Sequence, residues 1–336
     1  MAADGPRIAL VKLSSLGDVV HALPVAATLR AARPAARLTW IVERREAAVL
    51  RDHPALDEVI VADTRGWRRA RRPGTVRAAL ADAAALRRRL AAARFDVALD
   101  LQGLIKSGAI AAATRAPLRI GFAAGWGRER LSMLFTNRRV VPPPRARHVI
   151  EQYLALLAPL GIAERRLEFR LPVTPLAEAR AEEWLAAEGL KPHRRLVVLN
   201  PGAGRADKRW PVEHFARLAR LLTQDADAHV LVTWGPGEEG TARAIGAAGA
   251  VTLAPPTDLE ALLALLRRAS VVVAADTGPL HMAAALGTPC VGLYGPTAAA
   301  RNGPFGPGHR ALASPDGSMA SLAPARVLAA VVDALG

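Results

Sequence analysis

A chain of 336 residues, 51% of them hydrophobic, can bury a large core and is long enough for about two ordinary domains, which excludes disorder as its main state. A single cysteine, Cys290, excludes a disulfide framework and a cysteine-rich metal site. The net charge of +15 is lopsided: residues 1–160 hold 27 basic and 13 acidic side chains, residues 161–336 hold 18 and 17, so the first half calls for a polyanionic partner such as nucleic acid, an anionic membrane surface or a phosphorylated substrate.

The opening segment carries Asp4 early and Lys12 within its apolar run, not the charge-then-apolar order of an export signal. The longest stretch free of charged residues, 277–300, is broken by three prolines and four glycines, so no spanning helix is expected and a cytoplasmic location fits.

Along the chain, short apolar runs alternate with longer helical patterns. IALVKL leads to a helix over 18–32, LTWIVE to 44–51, EVIVAD to 75–94 and FDVALDL to 104–114. After Pro142, Pro143 and Pro144 a helix over 147–160 is the expected linker. The alternation then restarts: LVVLN, a helix over 212–223, HVLVTW, a helix over 238–247, VTLA, a helix over 259–269, SVVVAAD, a short helix over 280–286 and PCVGLYG. The tail after Ala311 reads as a loop leading to a last helix that closes a domain surface or packs back on the first domain. Two successive doubly wound parallel α/β sheets follow, divided near residue 160, with ligands at the carboxyl ends of the strands and the active site in the cleft between them.

Four strand-end loops carry candidate chemistry. In the first, Ser15, Gly17 and Asp18 follow IALVKL; Gly17 allows a tight turn, and Asp18 reads either as a helix cap or as a carboxylate beside the crevice. In the second, Gly202, Ala203 and Gly204 offer backbone N–H groups to a diphosphate and Lys208 a counter-charge, without the spacing of a P-loop or a full GxGxxG. In the third, Thr277 and Gly278 open a helix as an anion site, with Asp276 and His281 beside them. In the fourth, Glu238 or Glu239 is placed to accept from ribose hydroxyls. Only four basic residues are lysines, at 12, 106, 191 and 208, and three of them sit at strand ends, where a point charge suits a phosphate or carboxylate.

Together these stretches resemble the lipopolysaccharide heptosyltransferases of glycosyltransferase family 9, which have the GT-B fold. The likeness runs through KLSSLGDVVHALP, DLQGLIKS, DKRWP and DTGPLHMAAALGTPCVGLYGPT, and the opening motif is nearest to the members that add the first heptose to Kdo. The resemblance implies an inverting transfer without metal or other cofactor, from ADP-heptose to Kdo2-lipid A. Asp18 matches the family's proposed general base. The donor falls to Gly202, Ala203, Gly204, Lys208, Glu238, Asp276, Thr277, Gly278 and His281 in the second domain. Relatives often carry hydroxyl residues where this chain has Ala203 and Gly204, which leaves backbone donors there. The acceptor falls to the basic first domain, with Ser15, Gly17, Arg68, Arg69, Arg71, Arg72, Lys106 and Arg128 as candidates, and the protein is expected to dock transiently on the cytoplasmic face of the inner membrane.

Other classes remain on the residues alone. A nucleic-acid binder shares the high pI but wants more aromatic platforms than 4% of the chain supplies. A hydride-transferring enzyme wants a GxGxxG with an acidic residue about 20 positions on. A family member acting later in the core would share most of these motifs.

Overall fold

The computed structural model describes residues 5–190, 195–226, 228–247, 249 and 251–336; Lys191 lies outside them. It divides into two compact units, residues 1–170 and 171–336.

The first unit runs β1 (Arg7–Val11), α1 (Leu16–Ala32), β2 (Arg37–Val42), β3 (Glu58–Val61), α2 (Thr64–Arg69), α3 (Pro73–Ala92), β4 (Val97–Asp100), α4 (Ile105–Ala113), β5 (Leu118–Phe122), β6 (Arg138–Val140) and α5 (Val149–Ala155). Its six strands are all parallel, in the order β3-β2-β1-β4-β5-β6. The second unit runs α6 (Pro175–Ala187), β7 (Leu196–Asn200), α7 (Val212–Asp225), β8 (His229–Val232), α8 (Glu239–Gly246), β9 (Thr252–Leu253), α9 (Leu259–Arg268), β10 (Val271–Ala275), α10 (Gly278–Ala285), β11 (Cys290–Tyr294), α11 (Ala299–Asn302), β12 (Arg310–Ala313) and α12 (Pro324–Leu335). Its order, β12-β11-β10-β7-β8-β9, is the same winding read from the other edge.

The central strands β4, β7, β10 and β11 are buried along their whole length, as a parallel sheet covered on both faces requires. Helix α1 is apolar nearly all round and sinks thirteen residues into the first unit. In the second core Trp210 packs edge-on against Phe215 with ring centroids 4.8 Å apart, and its indole N–H donates to Leu322 O at 2.9 Å. The last helix, α12, packs on α7, β10 and β11 of its own unit.

A repeated device sets the register at the amino ends of the strands. Asp96, just before β4, accepts from Arg7 N–H of β1 at 2.8 Å, and Asp57, just before β3, accepts from Leu38 N–H of β2 at 2.6 Å. Asn137 does the same for Arg119 N–H at 2.8 Å, and Ser270 for Leu196 N–H at 3.1 Å.

Several expected elements differ. The helix read over 44–51 is only a single 3-10 turn, Ala47–Leu50, and the linker helix over 147–160 is α5 followed by a 3-10 turn at Ala158–Leu160. The tail is not all loop, because Arg310–Ala313 pairs as edge strand β12. Strands β5 and β6 and helices α2 and α6 were not read from the sequence.

Candidate active site

In each sheet the strand order reverses between two neighbours, β1 and β4 in the first, β7 and β10 in the second. Loops leaving such a pair diverge and open a crevice at their carboxyl ends. All four candidate loops lie at carboxyl strand ends, three of them at these switch points.

In the first unit Asp18 is the third residue of α1, and its Oδ2 accepts from the Ser15 backbone N–H (3.2 Å) and hydroxyl (2.9 Å). The carboxylate thus meets the cap reading in the first turn of α1 while also facing a cluster of polar groups. Arg128 Nη2 lies 3.1 Å from each of its oxygens, Lys12 Nζ 3.8 Å from Oδ1, and the Tyr153 hydroxyl 3.4 Å from Oδ1. Lys12 is fully buried and donates to Tyr153 Oη (2.7 Å) and Leu101 O (3.2 Å). Burial alone would push the Asp18 carboxyl up, but Lys12, Arg128, His21 and the Ser15 hydroxyl outweigh it and hold the group well below the usual carboxylate range.

The chain builds this cluster from the switch-point loops. Gln102 Oε1 accepts from Leu13 N–H (2.7 Å) and Ser14 N–H (3.4 Å), tying the loop after β4 to the loop after β1. Gly103, at φ +67°, lies so close to Gly127 that a Cβ there would stand 2.8 Å from the Gly127 Cα. That close approach, with Glu129 N–H donating to Gly103 O at 2.9 Å, delivers Arg128 to Asp18.

In the second unit Lys208 Nζ lies 2.7 Å from Asp276 Oδ2 and His281 Nε2 lies 3.0 Å from Asp276 Oδ1. Burial would raise the Asp276 carboxyl, but His281 and Lys208 bring it down to about 2. Glu238 Oε2 accepts from Gly235 N–H at 2.9 Å, and its carboxylate lies against Gly202, where a Cβ would stand 2.1 Å from it. Glu239 instead pairs with Arg243 one turn on, exposed to solvent. The loops after β7, β8 and β10 thus present a lysine, a histidine, two carboxylates and the open N-terminus of α10 around one strand-end surface.

The model for glycosyltransferase family 9 (heptosyltransferase) matches residues 83–328. The chain belongs to this family. It is a glycosyltransferase. Lipopolysaccharide heptosyltransferase 1 of Salmonella typhimurium is 31% identical, over 94% of this chain and 96% of the relative, and that of Pseudomonas aeruginosa is 31% identical over 89% and 81%. Among solved structures, E. coli heptosyltransferase WaaC with ADP superposes with a TM-score of 0.79 at 29% identity, covering 98% of this chain and 99% of that one. The same enzyme with ADP-2-deoxy-2-fluoro heptose gives 0.74 at 31% identity, covering 97% and 99%. The two doubly wound sheets are those of the GT-B fold.

The structure brings Ser15, Gly17, Asp18 and Arg128 together, and it brings Lys208, Asp276 and His281 together, with Glu238 against Gly202. The remaining basic candidates lie elsewhere. Arg68 and Lys106 line a groove between α2, α3 and α4, where Lys106 pairs with Glu43 at 3.4 Å and Glu43 accepts from the Thr64 hydroxyl. Arg69, Arg71 and Arg72 are exposed at the end of α2 and the turn into α3. Lys12, read with the other lysines as suited to a ligand's anion, is instead buried against the protein's own Asp18. Tyr153 and Gln102 carry no local sequence signal for the site: one stands 135 residues from Asp18 on α5, and the other is an uncharged amide in the loop after β4.

Proposed function

We propose that the chain transfers L-glycero-D-manno-heptose from ADP-heptose to a Kdo hydroxyl of Kdo2-lipid A by one inverting displacement, the first unit taking the acceptor and the second the donor. The observation that carries this reading is the Asp18 carboxylate, buried and held by Lys12 and Arg128 at the first sheet's switch point. The Asp18 carboxylate takes the acceptor hydroxyl proton as oxygen attacks the anomeric carbon and the bond to ADP breaks. Lys208, the backbone of Gly202, Ala203 and Gly204, and the Thr277–Gly278 turn at the start of α10 hold the departing diphosphate, replacing its lost charge stabilisation with fixed dipoles and a cation. Asp276 orients Lys208 and His281, and Glu238 accepts from the ribose. Ser15, Gly17 and Arg128 face the acceptor sugar, with Arg68, Arg69, Arg71, Arg72 and Lys106 toward its outlying anionic groups. The named relatives act on lipopolysaccharide, and the solved neighbour binds ADP and an ADP-heptose analogue, which supports both ligands.

No helix among the described residues is long and apolar enough to cross a membrane. A lipid-borne acceptor then has to be met at a surface, and the basic first unit docks on the anionic cytoplasmic leaflet of the inner membrane. The test is ADP release from ADP-heptose and Kdo2-lipid A with excess EDTA. Acceptor-dependent release that survives EDTA, collapses in Asp18→Asn and weakens in Lys208→Met is expected; no release while both ligands bind refutes the assignment.

A further inference from the structure

Helix α3 is twenty residues long, yet Leu90 is its one buried residue. A helix on a globular unit ordinarily sinks one apolar stripe, and α3 has such a stripe: Val76, Leu80, Ala83 and Leu90 recur at helical spacing on one face. The first half of the stripe is left in solvent, with Val76 39% and Leu80 67% exposed. The second half runs into the groove between α2, α3 and α4, about 420 Å³ in volume, where Ala83, Leu86 and Leu90 face Trp67 and Ile110. Stripe and groove form one continuous apolar strip.

The strip is framed by positive charge. Residues 64–92 contain nine arginines and a single acidic residue, Asp82, so this segment carries more than half of the first unit's excess. Asp82 is taken up by the Trp67 indole N–H at 2.7 Å. Arg68, Arg69, Arg72, Arg77, Arg87 and Arg88 form no ion pair among the described residues. An apolar strip flanked by uncompensated guanidinium groups complements an anionic interface with hydrocarbon beneath it. Single-stranded nucleic acid would want several stacking rings, and Trp67 is the one aromatic residue in the segment.

We infer that α2 and α3 form the membrane-docking element of this enzyme, with Val76 and Leu80 inserted among the acyl chains of an anionic phospholipid bilayer and the flanking arginines on its phosphates. This rests on the membrane reading above and adds to it the element, its orientation and an apolar contribution that charge attraction alone lacks.

The test is co-sedimentation with vesicles of phosphatidylcholine alone or mixed with phosphatidylglycerol, for the wild-type chain and for Val76→Glu/Leu80→Glu. Both positions are exposed, so the double variant keeps the fold, and it is expected to bind anionic vesicles about tenfold more weakly. Its transfer to a deacylated, water-soluble acceptor stays at the wild-type rate. Brominated acyl chains are expected to quench the wild-type tryptophan emission, and Trp67→Phe to lose that quenching. Equal binding by wild type and double variant, or no quenching by brominated chains while wild type sediments, overturns this inference and leaves docking by charge alone. Failure of wild type to sediment with anionic vesicles overturns the membrane reading itself.

Discussion

Replacing Asp18 by Asn keeps the side chain's shape and removes the base. Lys12, Arg128, His21 and the Ser15 hydroxyl hold the carboxyl far below its ordinary range, which keeps Asp18 ionised around neutral pH. A positioned general base contributes about 10²–10⁴ in rate, and Asp18→Asn should lose that much. The loss should be the same at every pH between about 5 and 8, because no protonation of Asp18 shapes the wild-type profile there. Arg128→Met gives the contrast. A unit charge about 3 Å away is worth about 1–5 kcal/mol between water-like and surface dielectrics, and a half-exposed guanidinium belongs at the low end, about 1 kcal/mol, which is less than one pH unit. Asp18 therefore stays ionised at neutral pH in Arg128→Met, whose defect should fall on the acceptor KM. Initial rates of ADP release across pH, on variants checked for fold by circular dichroism, decide the matter. An acid limb near pH 6 that vanishes in Asp18→Asn, or a variant keeping more than a tenth of the wild-type rate, would refute Asp18 as a permanently ionised base.

Three further outcomes follow from the second unit. Asp276 is depressed on folding, so its contribution to stability is present above the unfolded carboxyl value near 3.9 and is lost as pH falls through about 2; the shift is worth roughly 2 kcal/mol, and Lys208→Met should forfeit about half of it. Urea titrations should show that gap at pH 7 and its closing toward about pH 2. Gly202→Ala sets a Cβ on the Glu238 carboxylate and pushes it off Gly235 N–H; calorimetry should find ADP binding weakened several-fold with a stability change under about 1 kcal/mol, since the displaced atoms are a movable tip. Trp210→Phe leaves Leu322 O without its buried donor and opens a small void, at a cost of about 1–3 kcal/mol in denaturant unfolding; a change within a few tenths would contradict the hydrogen bond's role.

The sheets were legible because their strands are buried on both faces, so VVVAA and LVVLN stand out as unbroken apolar runs between helical patterns. What escaped lacked that signal. β6 is three residues, Arg138, Arg139 and Val140, on an open edge, and β12 is likewise a mostly exposed edge strand. α6 packs on α9 with three buried residues and little apolar asymmetry. In the site, Asp18 and Lys208 were readable as charges at strand ends, and Arg128 and Asp276 stood among the candidates, but that they pair was not readable. Tyr153 reaches Asp18 from α5, 135 residues on, and Arg128 from 110 residues away, through loops whose approach is set by Gly103 and Gly127 rather than by local spacing. The surroundings of Lys12 inverted its meaning, from a hand offered to a ligand to the buried support of a carboxylate.

The side-chain pins at Asp96, Asp57, Asn137 and Ser270 all sit at the amino ends of the strands, away from the loops that carry chemistry. The amino rim of each sheet thus carries alignment without chemistry. The reactive rim has ties of its own, such as Gln102 to Leu13 N–H and Gly103 against Gly127, but its other loops can be lengthened, shortened or exchanged for those of a relative with another sugar preference while the amino-end pins keep the strands in step. The same edits on the pinned rim would shift whole strands against each other, which makes that rim the wrong place for a graft and the reactive rim the natural one for redesign.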